Sequence, residues 1–384
     1  MRKLASIREI AEVIEIPGAE KIELVRVDGW QCVAQKGEFK QGDKCCYFEI
    51  DSILPDHPVF EFMRPRKFRV KTIKCMKQMS QGLAKPISDL SFFGIDPRSL
   101  SVGDDVTEKI GVTKHDDEEI ALKDISQRTN KNPWWKSLLM RIPFFRNLLK
   151  NPKGTFPNHI VDKTDETRME NLSNTSLKQM LGQELEMTEK IDGTSTTVIF
   201  RRRNWWQRLL LGDEFLVCSR NLTLVHEDNS WWWNSVKQNN LREEIEHAYD
   251  SLGLDHNSYI IVQGETIGKP IQGNRYNLKD GEFKFLAFSM TVNDSGKLKR
   301  LSHRDMKKNL KKLQTVPLID PGMFFESVID MVSYIKSRPF GTASRINPSM
   351  KFAEGVVVRT VSQDPNKFNS FKWVYPEFLE KNGQ

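Results

Sequence analysis

The sequence is poor in cysteine and has no long apolar run. Its five cysteines, Cys32, Cys45, Cys46, Cys75 and Cys218, are odd in number and include no CxxC pair, which argues against a disulfide framework and a zinc ribbon. No stretch is long and apolar enough to span a bilayer, and the charged N-terminus lacks the apolar core of a signal peptide. There is no internal repeat and no low-complexity tract. These absences lead to the expectation of a soluble protein of the reducing cytoplasm with no membrane partner.

Positive charge is what the chain has in excess: 58 Lys and Arg against 51 Asp and Glu, a formal charge of +7 and a pI near 9.0. Clustered cations gain affinity for polyanions by releasing counterions, so nucleic acid is a candidate partner. Charge alone is equally compatible with an ordinary solvated surface. At 384 residues the chain exceeds one comfortable core, and two domains are expected.

From Leu4 to about Ile87, short strand-like runs crowd together: KIELVRVDGWQCVA, KCCYFEIDSILP and RKFRVKTIKCMKQ. Such spacing predicts a small β-barrel over residues 1–90. In RKFRVKTIK, Arg66, Lys67, Arg69 and Lys71 load one expected strand with charge able to track a phosphate backbone, or to face water on an ordinary barrel. Residues 91–156 read as a connector. It is acidic at HDDEE (115–119) and then basic and aromatic in RTNKNPWWKSLLMRIPFFRNLLKNPK, which suits two short helices packed between domains better than a nucleic-acid or membrane contact.

Residues 157–384 mix strands and helices in the pattern of an α+β domain of antiparallel sheets and helices. Strands are expected at ELEMTEK, STTVIFRR, FLVCSRN, YIIVQGE, FKFLAFS, EGVVVRT and NSFKWV, with amphipathic helices near 241–249 and 324–336. RRRNWWQR at 201–208 reads as a hairpin tip, free or clamping RNA by stacking Trp205 or Trp206 on a base, whereas Trp231 to Trp233 should pack inside.

The sharpest feature is TEKIDGT, where Lys190 ends a strand pattern beside Glu189, Asp192 and Gly193. A lysine is nucleophilic only when neutral, so burial or nearby positive charge must lower its pKa. Asp192, two residues on, points to the same side in an extended segment and can hold a hydrated cation near the amine. Gly193 admits a turn that a side chain would obstruct.

Downstream, SRN supplies Arg220, QGE supplies Glu265, FLAFS supplies Phe285 and Phe288, EGVVVR supplies Glu354 and SFKW supplies Lys372. This order resembles motifs I, Ia, III, IIIa, IV and V of the covalent nucleotidyltransferases, the superfamily of polynucleotide ligases and capping enzymes. VDKTDETRMENL and IVQGETIGKPIQGNRY narrow the resemblance to ATP-dependent RNA ligases that seal 3′-hydroxyl and 5′-phosphate ends, and the N-terminal runs are similar to the OB module of one branch of them.

The resemblance implies that Lys190 takes AMP from ATP, that Arg220 contacts the sugar or phosphate, and that Phe285 stacks on adenine; Phe288 itself reads as a core residue of its strand. Glu265 and Glu354 would meet the ribose or, with Asp192, the water shell of Mg²⁺ or Mn²⁺, while Lys372 would neutralise the α-phosphate. Glu189 would act through its backbone at the adenine edge. The implied partner is RNA, a nicked duplex for a monomeric repair enzyme.

Relatives often carry Lys-x-Lys in motif V, whereas Ser370 stands first here, so Lys351, Arg359 or Lys269 would have to supply the missing charge. DNA ligases and capping guanylyltransferases usually carry an OB domain after motif V, and the short tail from Lys372 to Gln384 argues against both. An inactive RNA-binding relative is the remaining alternative. The single motif V lysine favours it; the intact Lys190, Asp192, Glu265 and Glu354 oppose it.

Overall fold

The computed structural model describes residues 3–115, 155–163, 166–224, 230–337, 343–362 and 369–382. The basic aromatic part of the expected connector, and Thr164 and Asp165 of KTDE, lie outside the described residues. The chain forms two compact units.

The N-terminal unit is built on an antiparallel sheet in the order Trp30–Gln35, Ile22–Val27, Ala5–Glu15, Lys44–Phe48, Leu83–Pro86. Ala5–Glu15 changes partners halfway. Its first half pairs with Lys44–Phe48 and its second with Ile22–Val27, with an irregularity between Ile10 and Glu12. An extra residue of this kind bends a strand and lets a sheet curl, which yields the expected OB-like barrel.

Alternation along Lys44–Phe48 serves two cores. Cys45 and Tyr47 join Val25, Trp30 and Cys32 on one side, while Cys46 and Phe48 join Phe60, Leu90, Leu100, Val106 and Ile110 on the other. Residues 91–115 therefore complete this unit and are not the start of a connector. Thr113–Lys114 pairs with Ser52–Ile53, and the Thr107 hydroxyl accepts from the amides of Leu4 and Ala5, both at 3.0 Å.

The unit also recruits two distant pieces, Met169–Asn171 and Tyr375–Gln384. Trp30 Nε1 donates to Asn171 Oδ1 at 2.6 Å, and Asn171 Nδ2 donates to Glu49 Oε1 at 2.7 Å. Lys74 pairs with Glu380. The expected boundaries at 90 and 157 thus follow sequence continuity, whereas packing does not.

The charged RKFRVKTIK segment is not one strand. Pro58–Arg66 is a 3-10 helix closed by Lys67 in the left-handed region, and strand structure returns only at Ile73–Cys75. Pro58 near the helix start, with His57 Nδ1 accepting from the Val59 amide, favours the helical turn. Arg69 is tied to Asp51 at 2.9 Å, leaving Arg66 and Lys67 exposed and Lys71 half-buried.

Four of the five cysteines are buried and only Cys75 is partly accessible. Burial pushes the Cys45 thiol up to about 12 and Cys218 to about 11, and raises Cys32 and Cys46 well above the usual range. Titration of the native protein with a thiol-reactive disulfide should count one fast thiol, and five after denaturation. Two or more fast thiols would mean that a buried core, of either unit, opens readily.

Among the described residues the second unit holds two sheets, each mostly antiparallel with one parallel pair. The larger has seven strands, running from Thr223–Leu224 through Glu214–Cys218, Thr194–Arg201, Ser258–Gly268 and Phe283–Asp294 to Lys297–Arg300, with Gln314–Thr315 parallel to Phe283–Asp294. Its core packs beneath the helices Trp231–Gln238 and Leu241–Ser251. Trp232 and Trp233 are buried there, as expected, and Trp232 Nε1 donates to Ser195 O at 3.0 Å. The smaller sheet has the order Thr167–Arg168, Ser370–Val374, Gly355–Thr360, Leu185–Lys190, Leu318–Met323.

RRRNWWQR does lie at the end of a hairpin, between the antiparallel strands Thr194–Arg201 and Glu214–Cys218, but as a helix rather than a turn. Asn204 caps a helix, Trp205–Leu211, by accepting from the Gln207 amide at 3.0 Å. Its apolar side chains face water, with Trp205 81% and Leu209 82% exposed. The neighbouring arginines are paired: Arg201 with Glu214 at 2.5 Å, Arg202 with Asp250 at 2.5 Å and Arg208 with Asp213 at 3.3 Å. Among the described residues no helix is long and apolar enough to cross a membrane.

Candidate active site

Lys190 is the last residue of Leu185–Lys190, a strand paired on both sides, with Gly355–Thr360 and with Leu318–Met323. Alternation puts Thr188 and Lys190 on the cavity face. The cavity is lined by Lys190, Arg220, Glu265, Phe288, Arg359 and Lys372, together with the apolar Ile191, Val316 and Val357. Six motifs scattered over the sequence thus converge on one cavity.

Lys190 Nζ lies 2.6 Å from Glu354 Oε1. Burial works to lower the amine's pKa, but Glu354, Glu265 and Asp192 outweigh it and hold the amine protonated. Asp192 Oδ2 is 2.5 Å from Arg275 Nη1, and the Asp192 amide donates to the Tyr276 hydroxyl at 2.9 Å. Burial, followed by Glu354, pushes the Asp192 carboxyl up to about 7, against the opposing pull of Arg275 and Lys190.

These carboxylates fit a hydrated divalent cation. Glu354 Oε2 is buried without a hydrogen-bond partner among the described residues, the kind of acceptor that a metal-bound water satisfies. No three acidic, histidine or cysteine groups among the described residues converge closely enough to hold a bare ion, so contact through water is the arrangement that fits.

Gly193 is required by close approach rather than by a left-handed turn. A Cβ there would sit 2.5 Å from Thr266 O and 2.8 Å from Glu265 Cγ. Gly193→Ala should displace Glu265 and slow covalent nucleotide transfer on the order of a hundredfold. Transfer at the wild-type rate would show that the strand absorbs the methyl group.

Of the two rings in FLAFS, the one expected to stack on adenine is not the one at the cavity. Phe285 is fully buried in the helical core of the seven-stranded sheet, with Ala287, Met290 and Trp232, and does not face the cavity. Phe288 does. The two lie three residues apart on one strand and therefore face opposite ways. A register shift opposite Gln263 and Gly264 leaves Phe288 unpaired and turns its ring to the cavity.

Glu189 does more with its side chain than expected. Its carboxylate accepts from the Ser344 hydroxyl and from the Arg345 amide at 2.9 Å, bracing the loop before Glu354, and burial pushes it up. Its own amide donates to Pro317 O at 2.9 Å. Of the three candidate replacement cations, Arg359 lines the cavity, while Lys351 is exposed and Lys269 pairs with Asp280 at 3.3 Å. Sequence reasoning passed over Glu166, Arg275 and Tyr276 as individual residues, although KTDETR and GNRY, quoted for the resemblance, contain them.

A strand-end lysine beside carboxylates, an aromatic ring and fixed cations defines a covalent nucleotidyltransferase site. The chain belongs to the RNA ligase family, whose model matches residues 183–374, and an OB-fold domain model matches residues 4–87. It is similar over 99% of both chains to structures of Naegleria gruberi RNA ligase, at 29% identity and TM-score 0.71 for a mutant with ATP and Mn. The same protein with PPi matches at 29% identity, 99% of both chains and TM-score 0.71. A further mutant with AMP and Mn matches at 28% identity, 99% of both chains and TM-score 0.71. No curated protein sequence matches the chain.

Proposed function

We propose that the protein is an ATP-dependent ligase that joins RNA 3′-hydroxyl and 5′-phosphate ends. The observation that carries this reading is Lys190, paired with Glu354, in the wall of a cavity that also gathers Glu265, Arg220, Phe288 and Lys372. In the first step the Lys190 Nζ–P bond forms at the α-phosphate of ATP, the bond to the β-phosphate breaks, and pyrophosphate leaves with the electron pair. Glu354, 2.6 Å from Nζ, would take the amine's proton. AMP then passes to an RNA 5′-phosphate, and an RNA 3′-hydroxyl attacks that phosphate to release AMP.

Asp192, Glu265 and Glu354 would hold Mg²⁺ or Mn²⁺ through its waters, and the cation would supply positive charge that frees the amine of its proton. Phe288 packs on the base, Arg220 and Lys372 hold the sugar and phosphate, and the apolar lining excludes water. The OB unit would take up RNA, with exposed Arg66 and Lys67 and half-buried Lys71 meeting phosphates. A nicked duplex repaired by a monomer in the cytoplasm is the setting we propose, supported by five free cysteines. The test offers nicked duplexes with RNA or DNA on the 3′-hydroxyl side, and single strands. Sealing only when RNA ends meet at a nick supports the proposal, and preference for all-DNA nicks or unpaired strands overturns it.

A further inference from the structure

The cavity around Lys190 contains a buried cation that none of these steps uses. Arg359 is 4% exposed and lines the cavity. Register fixes its place. Lys190, Gly355 and Val374 form one cross-strand row, Thr188, Val357 and Lys372 the next, and Glu186, Arg359 and Ser370 the one after. Side chains directly opposite on antiparallel strands share a face. Arg359 is therefore two rows from the nucleophile, a span of about 13 Å along the strands. An amine bonded to the α-phosphate marks one end of a nucleotide, so Arg359 addresses the other end, the base.

Three contacts hold its guanidinium. Nη2 is 2.5 Å from Glu166 Oε1, Nη1 meets Thr188 Oγ1 at 3.5 Å, and the guanidinium carbon lies 5.3 Å from the centroid of the Phe288 ring. Its Nε–H is buried and has no hydrogen-bond partner among the described residues. Buried donors are almost always satisfied, so one left open beside a ligand cavity points to an acceptor on the ligand. Burial acts to raise the Glu166 carboxyl, but Arg359 and Lys372 overcome it and keep it low, so Glu166 is an anion able only to accept.

We infer that Arg359, clamped by Glu166, reads the edge of the base that stacks on Phe288 and so sets the preference for adenine. The open Nε–H donates to a ring nitrogen, and the Glu166 carboxylate accepts from the exocyclic amine. Guanine carries a carbonyl oxygen where adenine carries that amine, and two acceptors would then face each other. The inference deepens the adenylyl-transfer reading and rests on it.

The test compares wild type with Arg359→Met, Arg359→Lys and Glu166→Gln, measuring initial rates of covalent labelling against ATP and GTP concentration, with a thermal melt of each protein. Arg359→Met should raise the KM for ATP about tenfold or more with the maximal rate within about threefold, and shrink the ATP to GTP ratio by a similar factor. Arg359→Lys, which keeps the charge, should fall between, and Glu166→Gln should narrow the ratio because its amide can donate to the guanine oxygen. The ratio is internal to each protein, so partial unfolding does not alter it. An unchanged ratio in Arg359→Met, with melting temperature and maximal rate falling together, overturns this inference alone. Wild type that takes label from neither nucleotide overturns the adenylyl-transfer reading and this inference with it.

Discussion

Lys190→Ala should take no covalent label from ATP, a loss on the order of 10⁴-fold or more, while still sealing RNA supplied with AMP already on its 5′-phosphate. The two halves of this result have different causes. Only the first step forms a bond to Nζ, so removing that atom deletes the step rather than slowing it. The final step needs the cavity's remaining cations and carboxylates, which lie on other strands and stay in place. The substitution leaves Glu354, only 7% exposed, without its ion-pair partner, so a shift in melting temperature is expected alongside. Label retained by the variant would mean that another group is the nucleophile. Loss of sealing on pre-adenylylated RNA would mean that Lys190 also holds the cavity together.

Phe285→Ala and Phe288→Ala should separate stability from binding. Phe285 is fully enclosed, and its truncation leaves a void that typically costs about 3–5 kcal/mol, lowering the melting temperature on the order of 10 °C. Phe288 is half-buried at the cavity wall, and losing its ring should leave the melting temperature nearly unchanged. ATP affinity should instead fall about tenfold, the scale of a base stacked on an aromatic face. Thermal melts and ATP titrations on both variants decide the matter. A weaker ATP site in stably folded Phe285→Ala would restore the assignment that the sequence order suggested.

That pair of residues shows what a linear reading captures. The order of Lys190, Arg220, Glu265, Glu354 and Lys372 was legible because each ends or lies within a strand run, and strand ends gather at one site. Opposite facing of Phe285 and Phe288 was also legible, from their odd spacing. Which ring faced the ligand was not, because that depends on the register with Ser258–Gly268. One sequence signal did exist: a Cβ on Gly264 would lie 2.4 Å from Phe285 Cζ, so the glycine of QGE makes room for that ring.

Arg359 was legible as one of three candidate cations and not as the one that lines the cavity, since its placement comes from pairing with Glu186, far away in sequence, as well as with Ser370 on the next strand. The helix at Trp205–Leu211 escaped for another reason. Five apolar residues and paired arginines between two strands look the same in sequence whether they turn or coil, and only the Asn204 cap tells them apart.

The N-terminal unit is not a single passage of text. Its Trp30 is anchored by Asn171, and its Lys74 by Glu380, from segments written far downstream. A gene fragment stopping at residue 115 would encode the barrel without either anchor. Recombination between relatives faces the same constraint: a single crossover joins a barrel from one parent to anchors from another. The two units should therefore be inherited together, and chimeras should need matched exchanges at three places to fold as well as either parent.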